Sequence, residues 1–288
     1  MCFAADTFFS ALCNIAVKSG EIDRLVGLVR DGKLRFSDSF PYKGDELWLP
    51  KPILSPKTER SGDPSARKKM KKLAYLPASS YAKYVDSLCG RCDFAPDSAV
   101  NSFGSFHVAA KATIGPEEAV PYSVATFRFQ DTCGLWLAVC YEKREDTELV
   151  ERLVKLLGLG GIGGKVSAGY GKYTLVSVVH PEHANTSERA VFALLARKNG
   201  RFITLTTACA EDSALDHILD GAEYQLVRRG GYAFSESSTK IMKKQTGYLF
   251  ASGSSFLSKF EGTMPDVGVD MPHPVLRYGY PLFIGVDY

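Results

Sequence analysis

The sequence lacks the features of membrane proteins and of secreted, disulfide-stabilised proteins. No apolar run approaches the roughly 20 residues that a membrane-spanning helix needs. The first residues, MCFAADTFFSALCNIAV, have no basic segment before their apolar positions and include Asp6, which is untypical of a signal peptide. The seven cysteines are odd in number and scattered, so they do not suggest a disulfide framework. We therefore expect free thiols, a cytoplasmic location and no membrane partner.

The sequence also has almost no excess of charge of one sign, because the net charge of the 288-residue chain is only +3. This value does not by itself mark a nucleic-acid-binding protein, so local clusters of charge carry more information than the sum. Hydrophobic residues make up 45% of the chain and charged residues 23%, as in globular proteins with a real core. The length predicts one large domain or two ordinary ones.

Motifs for metal, redox and hydrolytic chemistry are sparse. Cys89 and Cys92 form one CxxC, but no second pair completes a zinc site, and a thioredoxin-like setting is missing. His180 and His183 form an HxxH in a proline-containing loop. No G-x-S-x-G and no cluster of metal-binding carboxylates occurs. We therefore predict no catalytic residue, no metal and no cofactor, with His107 kept open as a general base for RNA cleavage.

Apolar spacing predicts two helices at the beginning of the chain. Residues 6–18 have a helical stripe with Asp6 as the N-cap, and a second helix lies around Ile22–Arg30. A short strand in KLRFSDSFPY and a proline-rich, non-helical segment follow. Asp63 and Pro64 then suit the N-cap and first position of another helix.

That third helix carries the densest basic cluster of the protein. Five charges in six positions have no acidic neighbour, so ion pairs within the helix do not neutralise them. A solvated helix face is one interpretation, and contact with phosphates is the other. The cluster consists of Arg67, Lys68, Lys69, Lys71 and Lys72.

The middle of the chain predicts a hairpin, a helix and a strand. Strands at 121–129 and 134–142 are joined by a short turn, and a helix over 146–157 ends with Gly158 in the C′ position. A strand is expected over 172–179. One strand before the first helix would complete the ferredoxin-like order βαββαβ, and that strand is missing from this sequence. From His180 a second α+β unit begins, so we predict domains at 1–179 and 180–288.

The segment 158–173, GLGGIGGKVSAGYGKY, combines many glycines with lysines, a serine and tyrosines. Glycine lets backbone amides approach a ligand closely, and lysines and aromatic rings suit a ligand with phosphates and bases. A flexible turn is the alternative. The candidate residues are Gly160, Gly161, Gly163, Gly164, Lys165, Ser167, Gly169, Tyr170, Gly171, Lys172 and Tyr173.

The order of elements disfavours two nucleotide-binding motifs for this segment. GLGGIG matches G-x-G-x-x-G, but a dinucleotide fingerprint follows a strand and opens a helix, whereas here the predicted helix comes first. A Walker A loop also fails, because Val166 follows Lys165 where Ser or Thr is required.

The ordered set of motifs resembles the RAMP proteins of CRISPR systems, and among them the family of the fourth Csm subunit of type III-A complexes. The resemblance rests on the glycine-rich segment after a helix and on motifs along nearly the whole chain. These motifs are ADTFFSALC, FSDSFPY, LPKPIL, KKMKKLAYL, LTTACAEDSALDHILDGAEYQLVRRGGYAFS, LFASGSSFLSKFEG and HPVLRYGYPLFIGV.

The resemblance implies a fold, a role and partners. The fold is α+β, with two tandem ferredoxin-like (RRM-like) RAMP domains and an insertion in the first. The role is non-catalytic: the subunit holds the repeat-derived 5′ tag of the crRNA and bridges the large palm-domain subunit to the backbone RAMP subunit. Loop amides and Lys165 would contact phosphates, Ser167 the sugar-phosphate, and Tyr170 or Tyr173 would stack or pack beneath. The alternatives are a RAMP endoribonuclease that processes pre-crRNA and a nucleotide-binding enzyme.

Overall fold

The computed structural model describes residues 2–57, 64–95, 102–113, 119–233 and 242–288. Within them the chain is a mixture of helices and short, mostly antiparallel strands. The helices are α1 Ala5–Lys18, α2 Ile22–Arg30, α3 Pro64–Lys72, α4 Tyr81–Leu88, α5 Arg144–Gly160, α6 Thr186–Ala196 and α7 Leu215–Leu219. The strands are β1 Leu34–Phe36, β2 Phe40–Lys43, β3 Glu46–Pro50, β4 Tyr75–Pro77, β5 Gly104–Thr113, β6 Val120–Phe129, β7 Cys133–Trp136, β8 Val139–Tyr141, β9 Arg201–Thr204, β10 Leu226–Arg229, β11 Tyr232–Ala233, β12 Met242–Lys243, β13 Gly247–Phe250, β14 Ser255–Phe256 and β15 Phe283–Val286.

Strand pairing joins segments that are far apart in the sequence. The largest sheet has the order β4-β3-β2-β7, and β1 pairs with β8. In the C-terminal half, β9 lies between β14 and β15, and β10 pairs with β13. The mixed α+β class predicted from the sequence is confirmed, and no helix among the described residues is long and apolar enough to cross a bilayer.

Two large apolar clusters form the core, and both include residues from each half of the chain. One cluster packs Leu76 and Tyr81 against Val191, Ile203 and Ile284. The other packs α1, α2 and α5 around β1 and also contains Tyr278, which lies near the C-terminus. The halves on either side of residue 180 therefore bury apolar surface against each other.

The predicted helices at 6–18 and 22–30 are confirmed, but the predicted cap at Asp6 is wrong. The helix begins at Ala5, and its first backbone N–H donates to the Asp38 carboxylate at 2.8 Å. Asp6 lies inside the first turn and instead accepts a hydrogen bond from Arg229. A carboxylate from a distant segment therefore replaces the local cap. Asp63, the other predicted cap, lies outside the described residues.

The predicted end of α5 at Gly158 is also wrong. The helix continues to Gly160, and Gly161, with φ +95°, takes the position that favours glycine. Gly158 instead makes room for a neighbour, because a Cβ there would lie 2.5 Å from the Tyr173 carbonyl oxygen. Its smallness serves packing rather than helix termination.

The predicted hairpin between 121–129 and 134–142 does not form. Strand β6 pairs along its whole length with β5, from Gly104↔Phe129 to Thr113↔Val120. The second segment splits into β7, which pairs with β2, and β8, which pairs with β1. Strand β6 thus pairs with the strand before it, and β7 and β8 pair with strands near the beginning of the chain, in place of the predicted hairpin.

The strand expected over 172–179 is likewise absent. The chain there is extended, but a strand needs a neighbour to share its backbone hydrogen bonds, and among the described residues none pairs with this segment. Val176 is consequently 80% exposed. The apolar residues that predicted a strand are accessible rather than buried.

Candidate nucleic-acid interface

Helix α5 positions the glycine-rich segment. Leu149, Leu153 and Leu157 are buried on the face of α5 that packs against α1 and β1. Because this apolar stripe fixes the helix, the glycines that follow begin from a rigid support. The Tyr173 hydroxyl donates to the Val154 carbonyl at 2.9 Å, which ties the far end of the segment back to the same helix.

Two glycines close the segment into a compact loop. The Ile162 N–H donates to the Gly171 carbonyl at 3.0 Å. Gly171 has φ +77°, and a Cβ on it would overlap the Ile162 carbonyl oxygen. A Cβ on Gly161 would lie 2.7 Å from the Tyr170 carbonyl oxygen. Gly161 and Gly171 are therefore required for loop closure rather than for contact with a ligand.

The remaining predicted glycines face open space. A Cβ on Gly160, Gly163, Gly164 or Gly169 would meet nothing within 4 Å. Gly163 and Gly169 have φ +115° and +83°, so glycine suits them for conformational reasons, whereas Gly160 and Gly164 have no such requirement. Within the described part of the chain, nothing therefore packs against these four glycines.

A second element, the β5–β6 hairpin, lies against the loop through two cation–π pairs. The Lys111 Nζ lies 4.6 Å from the centre of the Tyr170 ring, and the Lys165 Nζ lies 5.1 Å from the centre of the Tyr122 ring. A hydrogen bond to Tyr170 raises the pKa of Lys111, so this side chain stays charged. Lys111 and Tyr122 face each other in the β5–β6 ladder.

The hairpin is long and exposes apolar side chains. Phe106 is 69% exposed and Val108 is 70% exposed. The Phe106 and Phe127 rings pack edge to face with their centroids 5.1 Å apart. Sequence analysis missed Lys111, Tyr122 and Phe106 as site residues, although the alternation in GSFHVAAK already signalled a strand with two faces.

The other predicted residues of the loop differ in burial. Lys165, Ser167 and Lys172 are exposed, with Ser167 in a short 3-10 helix, Val166–Ala168. Tyr170 is half-buried beneath Lys111. Burial raises the pKa of Tyr173 to about 12, so its hydroxyl stays protonated and packs against α5.

The structure does not bring the basic helix α3 into this cluster. Met70 is buried in the apolar cluster that contains Tyr81, whereas the glycine-rich segment borders the cluster around α1 and α5. Lys68, Lys69, Lys71 and Lys72 are exposed on α3, and the Arg67 side chain lies outside the described part. The basic helix and the glycine-rich segment are therefore anchored in different apolar clusters.

The candidate metal and catalytic residues have ordinary surroundings. Within the described ranges, no three His, Cys, Asp or Glu residues are grouped as metal ligands would be, and Cys89 and Cys92 are free thiols. His107 is exposed, and its Nε2 lies 3.0 Å from the Ser105 hydroxyl. His180 Nδ1 lies 3.2 Å from the Tyr141 hydroxyl.

The beginning of α1 lies at the same end of the molecule as the glycine-rich segment. The Ala5 N–H donates a hydrogen bond to the carboxylate of Asp38, which lies just beyond the Phe36 end of β1. At the opposite end of β1, Leu34 pairs with Tyr141, three residues before α5 begins. The two helices therefore run antiparallel, and α5 ends where α1 starts.

Comparisons with known proteins identify relatives along the whole chain. The RAMP superfamily model matches residues 29–174, and the model of the CRISPR Csm4 C-terminal domain matches residues 197–286. A CRISPR system Cms protein Csm4 of Mycobacterium tuberculosis (strain CDC 1551 / Oshkosh) is 33% identical over 98% of this chain and 89% of its own length. The protein of the same name from Streptococcus thermophilus is 30% identical over 99% of this chain and 91% of its own length.

Solved structures share the fold. A Csm3–Csm4 subcomplex of the type III-A CRISPR-Cas interference complex matches with a TM-score of 0.67 and 17% identity, over 100% of this chain and 94% of the matched chain. A Csm1–Csm4 cassette in complex with cA4 matches with a TM-score of 0.63 and 19% identity, over 99% and 92% of the two chains. The chain therefore belongs to the Csm4 family, the RAMP-superfamily subunits of the Csm complexes of type III-A CRISPR systems.

Proposed function

We propose that this subunit is a non-catalytic RNA-binding protein that holds the repeat-derived 5′ tag of the crRNA. The observation that carries the proposal is the uncovered glycine-rich loop framed by the Lys165–Tyr122 and Lys111–Tyr170 pairs. Single-stranded RNA is held by backbone amides, basic side chains and aromatic rings, and the loop and hairpin supply all three.

Each residue has a role in this proposal. The Gly163 and Gly164 amides and the Lys165 ammonium contact phosphates, because Lys165 is exposed and no described residue packs against these two glycines. The Gly161 and Ile162 amides already donate to the Leu157 and Gly171 carbonyls. Ser167 donates to the sugar-phosphate, and Lys172 adds an exposed charge. Tyr170 stacks on a base, whereas Tyr173 packs beneath the loop and holds it on α5.

We further propose that the subunit bridges the large palm-domain subunit and the backbone RAMP subunit of a cytoplasmic complex. The similarity to structures in which Csm4 is bound to Csm1 or to Csm3 supports this arrangement. The basic surface of α3 serves either the RNA or a neighbouring subunit. The underlying fold is a tandem of ferredoxin-like domains, 1–179 and 180–288, in which α1 and α5 of the first domain cover the β1–β8 pair.

The endoribonuclease alternative has one observation in its favour, the position of His107 on the hairpin beside the loop. Its described hydrogen-bond partner is the Ser105 hydroxyl rather than a carboxylate that would orient the ring as a base. We therefore place His107 among the exposed hairpin residues and assign it no chemical step.

Binding and cleavage of RNA test the proposal together. A labelled single-stranded RNA with the repeat-derived tag should bind, and Lys165→Ala should lower the salt-dependence slope by about 0.7, the value for one phosphate contact on a single strand. Lys155→Ala, which removes an exposed lysine paired with Glu151 on α5, is the matched control and should leave the slope unchanged.

Incubation with repeat RNA should leave the RNA intact in the presence of a chelator. Metal-independent cleavage that is lost in His107→Ala would overturn the non-catalytic function. An unchanged salt slope in Lys165→Ala would mean that this side chain serves only its pair with Tyr122.

A further inference from the structure

A second concentration of positive charge lies beside the beginning of α1. Arg229, at the end of β10, donates from Nε to the Asp6 Oδ2 at 2.9 Å and from Nη2 to the Thr7 hydroxyl at 2.9 Å. Arg277 lies beside Arg229, because Arg229 faces Gly247 in the β10–β13 ladder and Gly247 borders the Arg277 guanidinium. Lys244 precedes Gln245, whose carbonyl accepts a hydrogen bond from Arg277. Three cations thus lie near one carboxylate, which Arg229 already binds.

Arg277 is buried without a neutralising carboxylate among the described residues. Arg277 is only 6% exposed, and its Nη2 donates a hydrogen bond to the Gln245 carbonyl at 2.6 Å. Within the described part of the chain, no carboxylate lies within ion-pair distance of this guanidinium. Gly247 makes room for it, because a Cβ there would lie 2.9 Å from Nη1.

Lys244 is half-buried in the same cluster and has no ion pair with any described carboxylate. Burial lowers its pKa; Arg277 and Arg229 lower it further, and only Asp6 opposes them. Taking a charge out of water without a counter-charge costs free energy. The cluster therefore carries more positive charge than Asp6 neutralises, and this excess favours the binding of an anion.

The surroundings favour nucleic acid over an acidic protein segment. Lys244 follows β12, and its backbone N–H donates to the Gly231 carbonyl at 2.9 Å. Gly231 has φ +109° and precedes Tyr232, whose side chain is 67% exposed. An accessible aromatic ring beside cations matches the phosphate-and-base pattern of single-stranded RNA.

The position of this basic cluster also favours the binding of an RNA strand. Asp6 lies in the first turn of α1, and α1 begins at the end of the molecule where α5 ends and the glycine-rich segment starts. Phe8 and Phe9 of α1 share an apolar cluster with Leu157 and Ile162. A strand of RNA leaving the glycine-rich segment therefore has a basic surface at the same end of the molecule.

We infer that Arg229 and Lys244 bind a phosphodiester of single-stranded RNA, that the buried Arg277 adds positive charge behind them, and that Tyr232 stacks on an adjacent base. The inference rests on the proposed function, because it extends the RNA path from the glycine-rich segment to the C-terminal half. Asp6 limits the affinity of this second site by holding Arg229 and by repelling the phosphate.

The salt dependence of RNA binding tests this inference in the full-length chain. The probe is a labelled single-stranded RNA with the repeat-derived tag and adjoining guide nucleotides. Lys244→Gln should lower the slope of log affinity against log salt concentration by about 0.7. Lys198→Gln, an exposed lysine after α6, is the matched control and should leave the slope unchanged.

Two further variants make the test specific. Tyr232→Ala should weaken binding by roughly 5- to 100-fold, as expected for one lost stack. Asp6→Asn should strengthen binding by roughly two- to tenfold, because one nearby negative charge is removed. Thermal unfolding of each variant identifies any that are misfolded, and Lys244→Gln should retain its fold because Lys244 lacks an ion pair with a described carboxylate.

The possible results distinguish failure of the second site from failure of the proposed function. If Lys165→Ala lowers the slope but Lys244→Gln and Tyr232→Ala leave binding unchanged, the second site is overturned and the first stands. Loss of binding to a purified partner subunit in Lys244→Gln, with RNA binding unchanged, overturns it in favour of an acidic protein surface. If the unaltered chain does not bind the RNA at all, both are overturned.

Discussion

At the scale of single residues, Asp38 connects three parts of the chain. Its buried carboxylate accepts hydrogen bonds from the Ala5 N–H at 2.8 Å, the Thr207 N–H at 3.0 Å and the Thr207 hydroxyl at 2.7 Å. We expect Asp38→Ala to lower the free energy of unfolding by about 3 kcal/mol, because buried donors lose their acceptor. Asp31→Ala, at an exposed ion pair, should cost less than about 1 kcal/mol in the same denaturation experiment.

The same carboxylate predicts a pH dependence. Burial raises the pKa of Asp38 more than its hydrogen bonds lower it. The unfolded state therefore ionises first as pH rises, and the stability contributed by this group is full in acid and is lost as pH passes through the folded-state pKa. Asp38→Asn should consequently gain stability relative to the unaltered protein as the pH rises above about 4, the usual pKa of an aspartate in an unfolded chain. A constant difference across this range would contradict the assignment.

Two glycines of the same loop should respond differently to alanine. Gly171→Ala places a methyl group against the Ile162 carbonyl and forces alanine into φ +77°, so we expect a loss of about 1–3 kcal/mol and a distorted loop. Gly164→Ala meets nothing within 4 Å and should leave stability within about 0.5 kcal/mol. Thermal unfolding measures both, and RNA binding of Gly164→Ala then reports on close approach alone.

At the scale of elements, the β5–β6 hairpin and the glycine-rich loop stabilise each other through their cation–π pairs. Tyr122→Leu removes the ring beneath Lys165 while retaining apolar bulk. We expect faster hydrogen exchange at the amides of 163–170, by a few-fold, because such a pair contributes about 0.5–1 kcal/mol at an exposed site. Tyr248→Leu, an exposed tyrosine on β13, is the control and should leave this exchange unchanged.

Local elements of the fold were predictable, whereas their pairing was not. The apolar stripes gave α2 with its observed bounds and α1 to within one residue, because helical hydrogen bonds are local. Strand β6 pairs with β5, which precedes it, and β7 pairs with the distant β2, so the short turn at 130–133 misled the prediction. Helix α6 was missed although Asn185 and Glu188 form a capping box that is visible in the sequence.

The candidate site was also predictable only in part: the sequence reveals the types of its residues but not how they are arranged. Its glycines, lysines and tyrosines were identifiable by type and spacing in residues 158–173. Two contacts decide which glycines close the loop: Gly161 lies against Tyr170, and Gly171 lies against Ile162. These contacts form only in the folded loop, so residue type and spacing do not reveal them. The contribution of Lys111 and Tyr122 was hidden for the same reason, since a separate hairpin brings them there.

At the scale of the whole molecule, the two halves complete each other's core. Tyr278 is fully buried between Phe9 and Phe36, with ring centroids 5.5 and 5.7 Å away, and its hydroxyl accepts the Phe36 N–H at 2.8 Å. In the other cluster, Tyr81 of the first half packs with Ile203 and Ile284 of the second. Each large apolar side chain contributes about 1.5–3 kcal/mol on burial, so separation of the halves removes a large share of the stability.

Fragments 1–179 and 180–288 should therefore not fold separately. Expressed alone, each should lack near-ultraviolet circular dichroism and a cooperative thermal transition, because Tyr278, Ile203 and their partners are left exposed to water. Co-expressed, a tagged 180–288 should retain the untagged 1–179. Tyr278→Ala should weaken that retention, since it empties the position between Phe9 and Phe36, whereas Tyr248→Ala on the exposed face of β13 should not. A cooperative transition in 1–179 alone would show instead that the first unit is stable without Tyr278, and the shared core would then serve docking rather than folding.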